Sequence, residues 1–160
     1  MLRSALLLFA AASTMVVFGA EKYSGPRPPK ADVPFLVHAD NLVQTEALEA
    51  TEEARKGDTA FVVSGTSSSA RTPMAEPIFL LRTEKLSAEK LQLFHLEARN
   101  GRREVVMPEK KKKDAPKPLK LMVTRLEPNL YRIEANEGLP NGEYGLTPDG
   151  SNQVFCFQVY

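Results

Sequence analysis

The chain has 160 residues, of which 42% are hydrophobic and 26% charged, and this composition is ordinary for one globular domain. Lysine and arginine number 21 against 20 aspartate and glutamate, so the net charge of +1 gives no support to a nucleic-acid partner. The single cysteine excludes an internal disulfide, and the two histidines are too far apart in sequence to suggest a metal site.

The first twenty residues predict a cleaved export signal. Arg3 gives a positive start, residues 5–18 form an apolar run, and the small residues Gly19 and Ala20 follow. The run is shorter than the roughly 20 residues that a membrane-spanning helix needs. We therefore expect a periplasmic or secreted protein with no stable membrane span after cleavage. Residues 21–32 contain three prolines among basic residues and predict an extended, solvated leader.

Residues 34–39 form the first predicted strand, and the stretch after it, residues 41–56, has two interpretations. Its glutamates and a basic end suit one short helix. Its alternating residues instead suit a strand that turns at Lys56-Gly57-Asp58 into a second strand at residues 59–63. The β-rich surroundings favour the hairpin.

The dipeptide Asn100-Gly101 predicts a β-hairpin, because these residues favour a tight two-residue turn. Pairing outward from the turn places a mainly apolar set on one face: Ala98 with Arg103, Leu96 with Val105 and Phe94 with Met107. The opposite face has Glu97 across from Glu104. We expect these two carboxylates to be an exposed pair shielded by Arg99 and Arg102.

The last 22 residues predict the closing hairpin of a β-sandwich. A turn at residues 148–150 precedes a final strand at residues 154–160 that is apolar on both faces, which is typical of a central or covered strand. Cys156 lies within this strand and is interpreted as a small buried hydrophobic residue. Tyr144 follows a Leu-Pro-Asn-Gly-Glu stretch, a pattern that predicts a tyrosine corner in which the hydroxyl bonds to upstream backbone.

Two long loops contain the candidate binding residues. Residues 64–77 are rich in serine and include Arg71, and residues 108–118 include four lysines: Lys110, Lys111, Lys112 and Lys113. If these loops share one end of the sandwich, they form a basic rim for an anionic ligand, because arginine grips a carboxylate or phosphate through two parallel hydrogen bonds. No aromatic residue interleaves the lysines, which argues against nucleic acid. The alternative is that both loops are simply mobile and solvated.

Several stretches together carry a resemblance to other proteins: Leu91-x-Leu93, Asn100-Gly101-Arg102-Arg103-Glu104, Leu130-Tyr131-Arg132-Ile133, Leu139-x-x-Gly142-Glu143-Tyr144 and Phe155-x-Phe157. In these stretches the chain resembles a group of exported, uncharacterised bacterial proteins of acidobacterial type. The similarity covers roughly residues 78–160 and consists of turns, inward apolar positions and a tyrosine. It implies no activity, no cofactor and no catalytic residue.

The spacing of strands and turns over residues 33–160 predicts an all-β fold, an immunoglobulin-like antiparallel sandwich of about eight to ten short strands. For function, we expect a non-catalytic module that binds a protein or an anionic component of the bacterial envelope. One alternative is a structural subunit whose final strand pairs with another chain. The other is a hydrolytic enzyme of unrecognised type, which the sequence disfavours because Ser87-x-x-Lys90 lacks its companion motifs and no metal-ligand spacing occurs.

Overall fold

The computed structural model describes residues 22–110 and 112–160, and the predicted signal peptide lies outside these residues. Within the described ranges the chain forms thirteen strands and one short 3-10 helix, Ala88–Lys90. No helix in these ranges is long and apolar enough to cross a membrane. The strands are β1 Phe35–His38, β2 Asn41–Gln44, β3 Glu46–Glu49, β4 Thr51–Arg55, β5 Asp58–Ser64, β6 Arg71–Thr72, β7 Ile78–Arg82, β8 Leu91–Arg99, β9 Arg102–Pro108, β10 Leu121–Glu127, β11 Leu130–Ala135, β12 Gly142–Pro148 and β13 Gln153–Val159.

The strands form two sheets that pack face to face, so the predicted all-β antiparallel sandwich is confirmed. The smaller sheet has the strand order β10-β11-β7-β1-β2. The larger sheet has the order β3-β13-β12-β8-β9-β5-β4, and β6 adds to β13 as a short parallel strand. All other pairings between these thirteen strands are antiparallel.

The main core lies between the two sheets. Phe79 of the smaller sheet meets Phe157 of the larger sheet edge to face, with ring centroids 4.9 Å apart, and Tyr144 stacks on Phe157 at 5.5 Å. Fully buried aliphatic and aromatic residues from both sheets fill the remaining space: Leu36, Leu81 and Ile133 from the smaller sheet, and Leu93, Leu146 and Phe155 from the larger one.

The larger sheet closes on itself into a barrel. Its two edge strands, β3 and β4, are consecutive in sequence and are joined by Ala50 alone, so they are two halves of one bent strand. The N–H of Ala50 donates a hydrogen bond of 2.7 Å to the carbonyl of Asn152, which keeps the bend against the start of β13. Six segments therefore surround a second interior: the bent strand, β13, β12, β8, β9 and β5.

A second, smaller apolar core fills the barrel. Its buried residues are Ala50, Val63, Phe94, Leu96 and Cys156, and the partly buried residues packed against them are Leu48, Phe61, Val105, Met107 and Val154. Neighbouring residues on a strand point to opposite faces. In β13, Phe155 and Phe157 therefore enter the main core while Cys156 enters the barrel. This is why the final strand is apolar on both sides.

Residues 41–56 contain no helix, so that alternative is wrong. They form three strands with different partners: β2 pairs with β1, β3 with β13, and β4 with β5. The predicted hairpin at Lys56-Gly57-Asp58 is confirmed, with Arg55 paired to Asp58 and Gly57 in the left-handed region at φ 72°. The helix propensity of this stretch is overridden because each of the three segments pairs along one edge with a strand of a sheet.

The proline-rich leader lies against the smaller sheet, although several of its residues, among them Arg27, Pro29 and Lys30, are exposed. The guanidinium of Arg82 donates to the carbonyls of Pro28 and Pro29 at 3.3 and 3.2 Å. Arg27 forms a two-pronged ion pair with Glu127, with both N–O distances 2.6 Å. The carboxylate of Asp32 accepts three backbone N–H groups, those of Glu84, Lys85 and Leu86.

The hairpin at Asn100-Gly101 is confirmed, with both residues in the left-handed region at φ 50° and 77°. The register is the predicted one near the turn, where Glu97 pairs with Glu104 and Ala98 with Arg103. The ladder ends there, so the predicted backbone pairs of Leu96 with Val105 and of Phe94 with Met107 do not form. Beyond this point β8 and β9 separate, and Leu93 of β8 is bridged instead by Leu119, while the opposite edge of β8 pairs with β12.

The tyrosine corner is also confirmed. The hydroxyl of Tyr144 donates a 2.7 Å hydrogen bond to the carbonyl of Pro140, four residues upstream. The side chain is buried, and this burial raises the pKa of the phenol. The corner therefore fixes how the chain enters β12.

Candidate binding site

The barrel encloses a cavity of about 360 Å³ that opens at one end. Its wall is mainly apolar, with side chains from four strands: Phe61, Phe94, Leu96, Val105, Met107 and Val154. Gly145 also lines it, and a Cβ there would lie 2.7 Å from Cγ1 of Val154, so only glycine leaves this part of the wall unobstructed. A mainly apolar cavity of this volume is typical of a small-molecule site.

Polar groups surround the open end of the cavity. They come from Glu52, Gln92, Thr147 and Asn152. The side-chain amide of Asn152 donates to Oε1 of Glu52 at 3.0 Å, and that of Gln92 donates to Asp149 at 3.4 Å. The site thus has an apolar interior and a polar opening, which suits a ligand with an apolar body and one polar end.

The opposite end of the barrel is closed by Arg103, whose side chain is fully buried. Its guanidinium donates to the carbonyls of Ser64 and Gly65 at 2.8 and 2.9 Å and to Oγ of Ser68 at 2.6 Å. These bonds tie β9 to the loop after β5. A buried guanidinium needs such partners, because an unpaired charge inside a protein is costly.

Two carboxylates complete the closed end. Glu46 and Glu143 lie 3.3 and 3.5 Å from the Arg103 guanidinium. Glu143 also accepts the N–H and the O–H of Ser68, at 3.0 and 2.6 Å. Sequence reasoning placed Arg103 correctly opposite Ala98 but found none of these partners, which come from β3, from β12 and from the loop after β5.

A cleft of about 330 Å³ lies outside the barrel where β8 and β9 separate. Phe94 and Val105 line both this cleft and the barrel cavity, so the two spaces lie on either side of the same part of the wall. The segment before β10 covers the separation, since the N–H of Leu119 donates to the carbonyl of Leu93 at 2.8 Å. This segment therefore covers part of the gap between β8 and β9.

Glu104 is not the exposed residue that the sequence predicted. Its carboxylate is fully covered and accepts hydrogen bonds from Arg55 and Arg99, while Arg102 lies 3.3 Å away. The bonds from Arg55, and then those from Arg99, lower the pKa of Glu104 to about 2. Its partner Glu97 stays exposed. The difference arises because β4 and β9 pair on opposite sides of β5, which brings Arg55, 49 residues away in sequence, within reach of Glu104.

Arg71 lies in the short strand β6 and is held by the end of the chain. Its Nε donates to Oε1 of Gln158 at 2.6 Å, and its guanidinium stacks over the ring of Tyr160 at 4.4 Å. The strand follows the loop that contains Ser68, at the closed end of the barrel. The predicted loop at residues 64–77 is therefore partly ordered by a parallel pairing with β13.

The lysines lie at the other end of the barrel. They follow β9 beyond Pro108, which pairs with Asp58 near the open end. Lys110 and Lys113 are exposed, Lys111 lies outside the described residues, and Nζ of Lys112 forms a 2.8 Å ion pair with Asp58. The structure therefore does not bring Arg71 together with the lysines, and the two loops do not form one basic rim.

Cys156 points into the barrel and is fully buried, as predicted. Burial raises the pKa of its thiol to about 12, so the reactive thiolate is absent near neutral pH. In residues 22–110 and 112–160, no group of three or more His, Cys, Asp or Glu side chains is placed to hold a metal ion.

Both edges of the final strand are occupied within the chain. Strand β12 pairs along one edge of β13, and β3 and β6 pair along the other. Strand addition by a second chain requires an unpaired edge. The described part of β13 offers none.

Comparisons with known proteins give no further assignment: no family model, curated protein or solved structure matches the chain. The resemblance to exported proteins of acidobacterial type stays a prediction.

Proposed function

We propose that the protein is an exported, non-catalytic binding module that holds a small apolar ligand inside its barrel. The observation that carries this proposal is the cavity of about 360 Å³, whose mainly apolar wall opens to solvent at one end. Apolar space left unfilled inside a protein costs free energy, because the side chains around it lose contacts. A ligand that fills the space recovers those contacts.

The arrangement of the two ends supports the same proposal. The closed end is sealed by the buried guanidinium of Arg103, while the open end has the polar side chains of Glu52, Gln92 and Asn152. A ligand would enter by the open end and leave its polar group there. The signal peptide predicted for residues 1–20 supports export.

The two alternatives have less support. A structural subunit that assembles through its last strand needs an edge that β12, β3 and β6 already occupy. An enzyme that works by nucleophilic attack needs an activated serine or cysteine that reaches a substrate. Ser68 is bonded to Glu143 in the sealed end of the barrel, and the thiol of Cys156 is protonated.

Binding is tested with the neutral fluorescent probe N-phenyl-1-naphthylamine, titrated into the purified protein. The chain contains no tryptophan, so the probe signal is free of tryptophan fluorescence. We expect saturable binding of one probe per chain and displacement by decanol. Absence of saturable binding to the folded protein would overturn the proposal.

Two cavity-filling variants locate the probe. Thr147→Phe places a ring at the opening and Val154→Phe places one in the wall, and both residues line the cavity. We expect each to weaken probe binding by at least about tenfold, which corresponds to about 1.4 kcal/mol. Met122→Phe, at an exposed position on the smaller sheet, is the matched control and should change nothing. Unchanged binding in both folded cavity variants would place the probe elsewhere and contradict the proposal.

A further inference from the structure

Glu52 is the one charged residue among the described residues that line the cavity. It lies on β4 two residues after Ala50, so both side chains point to the inside of the barrel. The register pairs Glu52 with Phe61, which also lines the cavity. The apolar wall therefore ends at a carboxylate.

The carboxylate of Glu52 has capacity for a further hydrogen-bond donor. Its Oε1 accepts the side-chain amide of Asn152 at 3.0 Å. Among the described residues, none donates to Oε2. The side chain is exposed, so a bound molecule in the opening would reach this oxygen directly.

The surroundings of the opening carry no compensating positive charge on the cavity wall. Another polar side chain at the opening, Gln92, donates its amide to the carboxylate of Asp149. No lysine or arginine is among the described lining residues. In the lysine segment, Lys112 is paired with Asp58.

We propose that the cavity selects molecules with an apolar body and a terminal amine, and that the Glu52 carboxylate binds the ammonium group. This inference rests on the proposed function, because it assigns a ligand class to the same cavity. An ammonium group donates charge-assisted hydrogen bonds to a carboxylate, whereas a ligand carboxylate or phosphate meets a like charge. The proposed ligand is positively charged, whereas the basic loops predicted an anionic ligand. The two differ because those loops do not meet at the cavity.

The volume indicates the size of the ligand. Liquid water occupies about 30 Å³ per molecule, so 360 Å³ is the space of about twelve waters. An unbranched chain of about ten carbons with one amine fits this estimate.

The test compares three ligands with the same ten-carbon chain: decylamine, decanol and decanoate. Each is titrated calorimetrically into the purified protein, below the concentration at which the ligands aggregate. We expect decylamine to bind about tenfold more tightly than decanol, decanoate to bind more weakly than decanol, and the amine preference to shrink as salt rises.

Two variants assign the preference to Glu52. Glu52→Gln should remove the preference, so that decylamine no longer binds more tightly than decanol to this variant. The control Glu49→Gln removes the same charge from the neighbouring strand β3, but Glu49 alternates with Leu48 and Ala50 and so faces away from the cavity. It should keep the preference.

The outcomes separate this inference from the proposed function. Equal binding of the three ligands, or a preference that persists in Glu52→Gln, would overturn the role of Glu52 and leave the apolar cavity site standing. Failure of all three ligands and of the naphthylamine probe to bind the folded protein would overturn both.

Discussion

Arg103 and Glu143 face each other inside the closed end of the barrel, with Nη1 and Oε2 separated by 3.5 Å and side chains 0% and 4% exposed. The two residues come from β9 and β12, which lie on either side of β8 in the sheet. Burial of either charge alone costs several kcal/mol, and the pair is tolerated only because Ser68 and backbone carbonyls supply the remaining hydrogen bonds.

Replacement of Arg103 should therefore be strongly destabilising. Arg103→Met leaves the buried carboxylate of Glu143 and the partly buried one of Glu46 without this cation, and we expect the free energy of unfolding to fall by about 3–5 kcal/mol. Urea unfolding at neutral pH measures the loss. The control Arg125→Met removes an exposed arginine that bonds only to the carbonyls of Glu127 and Pro128, and it should cost less than about 0.5 kcal/mol. Equal stabilities of the two variants would contradict the importance of the closed end.

Loss of the tyrosine corner should destabilise the protein less than replacement of Arg103. Tyr144→Phe removes the hydroxyl that donates to Pro140 and leaves the ring in the main core. We expect a loss of about 1 kcal/mol in the free energy of unfolding, the usual net value of one hydrogen bond. Tyr131→Phe is the matched control, because Tyr131 also packs on the main core but its hydroxyl bonds to no described residue. A Tyr144→Phe protein as stable as Tyr131→Phe would show that the corner is dispensable.

Protonation of Glu104 should account for part of the loss of folding stability at acid pH. Its folded pKa of about 2 lies below the ordinary glutamate value of 4.5, because Arg55 and Arg99 donate hydrogen bonds to the carboxylate. A lowered pKa means that the native state holds the proton less tightly than the unfolded chain. The stabilisation is therefore complete above about pH 4.5 and is lost as the pH falls towards 2.

Glu104→Gln should flatten this acid dependence and should be less stable than the parent at neutral pH. The difference in unfolding free energy between parent and variant should shrink as the pH falls through this window. Glu97→Gln, across the strand pair, is the control for removal of one negative charge at an exposed site. The explanation fails if the Glu104→Gln difference is the same at pH 3 and pH 7.

The turn at Asn100-Gly101 predicts a purely conformational cost. Gly101 has φ 77°, and no atom lies within 4 Å of a Cβ added there, so Gly101→Ala introduces strain without a clash. Left-handed backbone costs a non-glycine residue about 1–2 kcal/mol. We therefore expect the free energy of unfolding of Gly101→Ala to fall by this amount. Gly138 has equal open space but no positive φ, so Gly138→Ala should be neutral or slightly stabilising. The reverse ranking of the two variants would refute this account.

Local chemistry in the sequence determined the turns and the faces of the strands. Asn100-Gly101 specifies its hairpin because these residues tolerate positive φ, and Tyr144 reaches a carbonyl only four residues upstream. The alternation of Phe155, Cys156 and Phe157 specifies two buried faces for the final strand. Each of these features depends on neighbours within a few residues, so each was readable without the fold.

The tertiary structure decided what those faces enclose. Ala50 carries no signal that it joins the two edges of one sheet, yet its position closes the barrel and creates the cavity. Burial of Glu104 depends on Arg55, 49 residues away, and the separation of Arg71 from the lysines depends on which end of the barrel each loop leaves. Alternation along one strand determines which of its side chains point inward and which point outward. The order of the strands and the closure of the barrel instead arise from pairings between segments that are distant in sequence. Only the folded chain brings those segments together.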